Sequence, residues 1–539
     1  MSARRSLYYY RTRSGREVDF VWRGEDGRLT LIQVAFQAPE GSDTLARELA
    51  ALREALREQP ESRALLVTMV DGRWPPGAGP AGRLGRDRTR FMALLKVTFT
   101  PIPDRTLGRP KRVVAYLPPR GIISAMYTRG LSNKLVAALT DTPVVLVNGA
   151  RQSGKTTLVQ ETVADRPGAV YRTFDDAATL AAAVADPVGF VRQPAELLVV
   201  DEVQHVPALF PAIKLEVDRN RRPGRYLLTG SANVLLLPKL SESLAGRMEI
   251  LTLEPLAQAE IANAMDNVPQ RLFAGEGPAE MAWAGKERDL TDRVATGGYP
   301  EALARANPTR RAAWFGAYLT AILQRDVRDL ANIEGLTEMP RLLSLLATRT
   351  AGLLNVAELS RDAGISHNTL KRYLALLQAT FLIRLLPAWS RNSGKRFTKA
   401  PKLHLNDAGL ACHLLGIDAT RLAGHPSHWG RLVETFVVDE LLRQATWSPF
   451  PVQASHFRLA TGQEVDLVLE DGRGRVVGVE VKASATLRGQ DLNGLKALAA
   501  LSGDAWVGGV VFYGGDTPLP FGTGLQAWPI ASLWTGKNP

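Results

Sequence analysis

The sequence predicts a multidomain α/β protein, and three observations carry that prediction. From Val144 onward, short apolar runs alternate with helical patterns, the signature of a parallel sheet. One such run, PVVLVN, leads into Gly149-Ala150-Arg151-Gln152-Ser153-Gly154-Lys155-Thr156, a phosphate-loop pattern. The third observation is a repeat. GREVDFVWRGEDGRLTLIQVA at 15–35 returns without a gap as GQEVDLVLEDGRGRVVGVEVK at 462–482, with 8 of 21 positions identical. At 539 residues the chain exceeds one core and has room for about three to five domains.

Composition narrows the class further. The single cysteine, Cys412, excludes an intrachain disulfide, suits a reducing compartment and reads as a small buried hydrophobe. The start, MSARRSLYYYRT, lacks the apolar core of a signal peptide, and no apolar run reaches membrane-spanning length. A cytoplasmic protein without a membrane span is expected. Net charge is +12, and residues 341–402 hold 11 Lys/Arg against 2 acidic residues. That local excess suits a polyanion such as DNA, or else forms a solvated basic face.

Residues 8–36 alternate polar and apolar around Asp26-Gly27-Arg28, which predicts a β-hairpin. A helix at 43–58 and a buried strand at 64–70 follow. WPPGAGPAG then breaks the pattern, and the Arg/Pro-rich stretch to 125 reads as a linker with a short strand at 96–100. Apolar strands are expected at 144–148, 197–200 and 226–229, and mostly helix over 259–338. The tail from 430 reads helix, strand, strand, helix, strand.

In the phosphate loop, glycines let backbone N–H groups wrap a polyphosphate at a helix N-terminus, with Thr157 continuing that helix. Lys155 would reach the β/γ-phosphates and the Thr156 hydroxyl would bind Mg²⁺. LLVVDE at 197–202 then presents Asp201 to the same Mg²⁺, and Glu202 can polarise water as a general base. Thr229, Ser231 and Asn233 follow the next strand and could sense the γ-phosphate. Arg247 precedes another strand; it would reach a neighbour's nucleotide in a homo-oligomer or form a surface salt bridge.

MYTRGLSNKL, NGARQSGKTTL, VVDEVQHVP, LLTGSAN, SLAGR, GGYPEAL and LQRDVRDL occur in this order. The series resembles a family of prokaryotic AAA-superfamily ATPases that carry a C-terminal domain of unknown function. The resemblance covers Met126 to the end. It implies an AAA-type ATPase core at 126–258, a helical lid at 259–338, a winged helix at 339–405 and a restriction-endonuclease-like domain at 406–539. ATP and Mg²⁺ are the implied cofactors. Residues 1–75 would be a partial, degenerate copy of the last domain, and 76–125 the linker.

Residues 354–386 place helices either side of Ala363-Gly364-Ile365-Ser366, a helix-turn-helix pattern with Ser366 as cap. His367, Asn368, Lys371 and Arg372 open the second helix, where DNA-reading side chains would stand. Arg391, Lys395, Arg396, Lys399 and Lys402 lie on the basic turn that follows. Such domains also dock proteins. In the C-terminal repeat, Asp466, Glu480 and Lys482 follow the nuclease spacing Asp-x13-Glu-x-Lys. With Glu434 from the preceding helix, they would hold a nuclease Mg²⁺, or survive as inactive scaffold. The N-terminal copy keeps Glu17 and Asp19 but has Gln33 and Ala35 in place of Glu480 and Lys482. Its chemistry should be lost. His413, His425 and His428 lack a fourth ligand and read as surface or core residues.

Overall fold

Four strands form the N-terminal sheet: β1 (Leu7–Arg11), β2 (Glu17–Arg23), β3 (Leu29–Ala35) and β4 (Arg63–Thr68). They lie in sequence order, antiparallel except for the parallel β3–β4 pair. The computed structural model describes residues 7–11, 17–23, 29–35, 54–55, 63–68, 127–164, 166–231, 244–278, 287–327, 336–392, 396, 399–422 and 426–535. Most of the helix expected at 43–58, and the linker with its strand at 96–100, lie outside them. The chain divides into two compact units, Met1–Ala125 and Met126–Pro539.

The second unit opens with α1 (Ser132–Asp141), β5 (Val144–Asn148) and α2 (Lys155–Val163). Then follow β6 (Ala169–Thr173), β7 (Leu197–Asp201), α3 (Leu209–Arg219), β8 (Tyr226–Gly230) and β9 (Met248–Thr252). The five strands form one all-parallel sheet in the order β6-β7-β8-β5-β9. Every residue of β5, β7 and β8 is buried, which is why those strands read as unbroken apolar runs. Their side chains alternate between two cores: Val144, Leu146, Leu198 and Val200 on one face, Val145, Val147, Leu197 and Val199 on the other. β6 is an edge strand and only half-buried, so its sequence AVYRT carries no apolar run and gives no strand signal.

Beyond the sheet come α4 (Glu287–Thr296), α5 (Pro308–Ala321), α6 (Met339–Thr348), α7 (Val356–Ala363) and α8 (His367–Ala379). Ser366 caps α8 by accepting a hydrogen bond from the Thr369 N–H, as expected. β10 (Gly352–Leu353), β11 (Ile383–Leu386) and β12 (Lys402–Leu405) form a small antiparallel sheet in the order β10-β12-β11. α9 (Ala408–Leu415) and α10 (Pro426–Ala445) lead to the last sheet. One continuous apolar core, which includes Ala150 of the phosphate loop and runs on from Val268 to Trp534, joins the helices after residue 259 to these elements and to the last sheet. Those helices thus share an apolar core with the C-terminal elements.

The last sheet contains β13 (Val452–Arg458), β14 (Glu464–Asp471) and β15 (Val476–Lys482), then α11 (Asn493–Ser502). β16 (Trp506–Tyr513), β17 (Leu519–Pro520) and β18 (Leu525–Pro529) complete it, in the order β13-β14-β15-β16-β18-β17. Three strands, where the sequence pattern shows two, therefore precede α11. β13 (VQASHFR) is sparing in apolar residues because much of its length is not buried, which hides its strand character.

Candidate functional site

The phosphate loop runs from the buried end of β5 into α2. Gly149 adopts φ 144°, and a Cβ there would lie 2.1 Å from the Leu253 carbonyl oxygen; only glycine fits. Gly154 caps α2. Lys155 is buried, and its ammonium donates to the carbonyls of Gly149 (3.0 Å) and Ala150 (2.9 Å). Ser153 is buried and Gln152 exposed, while Arg151, Thr156 and Thr157 are half-buried. At this helix N-terminus, N–H groups and partial positive charge favour an anion.

Asp201 ends β7 and is 2% exposed. Its carboxylate accepts from Thr156 Oγ1 at 2.9 Å, from the Tyr171 hydroxyl at 2.7 Å, and from Thr229 Oγ1. Burial and the adjacent Asp201 charge push the Tyr171 phenol well above its ordinary range, so it stays a donor. Thr156 and Asp201 thus meet below the loop, two hard oxygen donors suited to Mg²⁺. Glu202 follows with φ 61°; its N–H donates to Thr229 Oγ1 at 3.0 Å. The Glu202 carboxylate accepts from Gln204 Nε2, which also donates to Ser231 Oγ at 3.0 Å. Arg247 stands apart from these groups in an ion pair with Asp218 at the surface. Asn233 lies outside the described residues.

Tyr171 lies in no motif, and Arg129 and Gln204 lie inside MYTRGLSNKL and VVDEVQHVP without a role that sequence assigns them. Buried Arg129 locks the loop: it donates to the Ser153 carbonyl (2.7 Å), the Glu254 carbonyl (2.7 Å) and the Glu260 carboxylate (3.0 Å). Its partners lie 24 to 131 residues away, so spacing could not have revealed it.

A second cluster forms in the C-terminal body, and it contains Glu434, Asp466, Glu480 and Lys482 as expected. It also contains Lys402, which was not expected there. The Lys402 ammonium, 9% exposed, pairs with Glu434 and lies 2.8 Å from Asp466 Oδ1. Lys482 Nζ pairs with Glu480 Oε1 at 2.7 Å. Burial, with the charge of Asp466, pushes the Glu434 carboxyl up to about 8 and Glu480 well above the carboxylate range. Burial alone would lower the Lys402 pKa, but Asp466 and Glu434 outweigh it and raise it. Burial and the Lys402 charge keep His404 neutral. A divalent cation needs converging anionic oxygens. Here an ammonium stands between two of the three carboxylates, and among the described residues no three His, Cys, Asp or Glu are arranged to hold a metal ion. The expected metal site is thereby corrected: these residues do not fit a metal. A cavity of about 640 Å³ opens beside the end of β15, lined in part by Trp429, Ala483 and Tyr513.

Of the residues expected to face DNA, His367, Asn368, Lys371 and Arg372 are exposed at the start of α8, and Lys399 is exposed. Arg396 instead pairs with Glu470 at 2.8 Å. Lys395 lies outside the described residues. Cys412 is buried, with its thiol pushed up by burial. His413 stacks on Phe315, and His425 lies outside the described residues.

The parallel sheet and its loop are those of a P-loop ATPase, and residues 141–262 match a family model described as an AAA domain. Residues 287–421 and 429–533 match two domains of unknown function, DUF8612 and DUF4143. The chain is 33% identical over 359 residues to the uncharacterized proteins Rv2008c of Mycobacterium tuberculosis and Mb2031c of Mycobacterium bovis, covering 66% of this chain and 74% of each relative. It belongs to the family of these two proteins. Among solved structures it is similar to the Walker-type ATPase PABY2304 of Pyrococcus abyssi, with TM-score 0.35, 16% identity and coverage of 55% of this chain and 98% of that one. It is also similar to the RuvB Holliday junction branch migration motor of Thermotoga maritima, with TM-score 0.25, 17% identity and coverage of 52% and 98%. Among the described residues no helix is long and apolar enough to cross a membrane.

Proposed function

We propose that this protein binds ATP with Mg²⁺ and hydrolyses it, as a cytoplasmic homo-oligomer associated with DNA. The meeting of Thr156 with Asp201 below the Lys155 loop carries this reading. Mg²⁺ held by those two oxygens would supply charge neutralisation for the β- and γ-phosphates. Backbone N–H groups of the loop bind phosphate oxygens, and Lys155 exchanges the Gly149 and Ala150 carbonyls for them. The Glu202 carboxylate takes a proton from water. The water oxygen then bonds to the γ-phosphorus while the bond to the β–γ bridging oxygen breaks, and ADP leaves with that electron pair. The Gln204 amide holds one oxygen of that carboxylate, and the two oxygens together have room to accept from water as well. In an oligomer, Arg247 would leave Asp218 for the neighbour's γ-phosphate. Lys155→Ala should abolish ATP binding and turnover; turnover that survives would place hydrolysis elsewhere. Glu202→Gln should still bind ATP but turn over roughly 10²–10⁴-fold more slowly.

We infer that α6 to β12 form a winged helix, with α8 offering His367, Asn368, Lys371 and Arg372 to DNA, mainly through phosphates. Lys371→Ala should weaken binding across sequences and reduce the salt slope by about one. A second reading, a winged helix that docks protein, gains support because Arg396 and Lys402 pair within the chain. Absent or salt-insensitive DNA binding would favour it. The Lys402 ammonium paired with Glu434 and Asp466 favours a nuclease-like domain that is inactive.

A further inference from the structure

We propose that the carboxylate cluster of the C-terminal body is a socket for the Lys402 ammonium, which fastens the wing to the last sheet and fills the place a divalent metal would need. Lys402 reaches the cluster from β12, where it pairs with Glu434 on α10 and Asp466 on β14. The other oxygen of Asp466 accepts the Val481 N–H at 2.9 Å. Glu480 is tied to Lys482. Two buried or half-buried ammonium groups therefore answer three carboxylates, and a divalent ion could enter only by expelling Lys402 against like charge.

The same segment is fixed to the same sheet at independent points. Ala388 bridges His456 of β13 in parallel, and the His456 N–H donates to the Pro387 carbonyl at 2.9 Å. The His456 ring donates to the Ala400 carbonyl at 3.0 Å. Glu470 accepts from Trp389 Nε1 at 3.0 Å and pairs with Arg396 at 2.8 Å. Lys402 is the buried end of this row of contacts, and its charge is spent inside the protein. DNA contacts then rest on α8 and Lys399 rather than on Arg396 or Lys402.

Two measurements on the full-length chain test this. Asp201→Asn silences the metal ligand at the ATP site, and that variant, titrated with Mn²⁺ alone in a calorimeter, should show no saturable site below about 1 mM. A stoichiometric Mn²⁺ site that Glu480→Gln removes would overturn the proposal. Lys402→Met leaves Glu434 and Asp466 buried without their partner and should lower Tm by roughly 10 °C. Adding Glu434→Gln and Asp466→Asn should restore at least half of that loss. A Lys402→Met protein as stable as the parent would also overturn the proposal. If Lys402→Met does not fold, the Mn²⁺ titration still decides.

Discussion

The N-terminal sheet and the first four strands of the C-terminal sheet are one design written twice. Tyr8 pairs with Val21 as Ser455 pairs with Val468, and Phe20 pairs with Ile32 as Leu467 pairs with Val479. Even the irregularity recurs, between Tyr8 and Tyr10 in one copy and Ser455 and Phe457 in the other. The parallel fourth strand matches too: Gln33 faces Leu66 as Glu480 faces Val511. What differs is chemistry at fixed positions. Where the second copy has Glu480 and Lys482, the first has Gln33 and Ala35. The ladder survives without the charges, so they are not what forms the sheet. In the second copy they belong to a cluster that also takes Lys402 from β12 and Glu434 from α10. Losing an acid and its lysine together is cheap, since no charge is left buried and unpaired.

Exchanging residues between the copies tests how deep the likeness goes. The largest effect is expected at Gly478, whose counterpart in register is Leu31. In the second copy α11 packs against this strand so closely that a Cβ on Gly478 would stand 2.7 Å from the Leu495 side chain and 3.1 Å from Leu498 and Trp506. Gly478→Leu should cost at least about 3 kcal/mol, read as a shift in the denaturation midpoint. A tolerated leucine would show that α11 yields easily. A smaller effect is expected at Lys482. Lys482→Ala strands the buried Glu480 and should cost about 2 kcal/mol, since the lysine is partly exposed. Glu480→Gln with Lys482→Ala, which rebuilds the first copy's pair of residues more closely, should return to within about 1 kcal/mol of the parent. A double variant as unstable as the single one would show that the pair itself holds the sheet.

The phosphate loop was legible because its chemistry is local: two glycines, Lys155 and Thr156 fall within eight residues, and β5 and β7 are apolar throughout. The repeat was legible as a gapless register. The roles of Tyr171, Gln204 and Arg129 were not, because each acts on a group that the fold brings from another element. Lys402 shows the difficulty most clearly. In sequence it is one of 11 basic residues in a stretch that reads as an outward, DNA-facing surface, yet it pairs with Asp466, 64 residues on, inside the protein. Charge counts carry no direction. The helices after residue 259 likewise have the right periodicity for helix, but periodicity does not say that their apolar faces join the C-terminal core.

The smallest effect expected of a single exchange lies at the turn between β14 and β15. Asp471 accepts hydrogen bonds from the N–H groups of Arg473 and Arg475, both at 2.9 Å, and from the Arg475 guanidinium at 2.8 Å. The first copy has Gly24 at the corresponding place. Asp471→Gly removes three acceptor contacts from a turn that stays open to water and should cost about 1–2 kcal/mol. Burial would raise the Asp471 pKa, but the Arg475 and Arg473 contacts outweigh it and hold the carboxyl below its ordinary value. A carboxylate whose folded pKa is depressed contributes stability above its unfolded pKa and loses it as pH falls through the folded one. The gap in stability between parent and Asp471→Gly should therefore be full above about pH 4 and should close on further acidification. A gap that persists unchanged in acid would mean that the turn needs the shape of aspartate and not its charge.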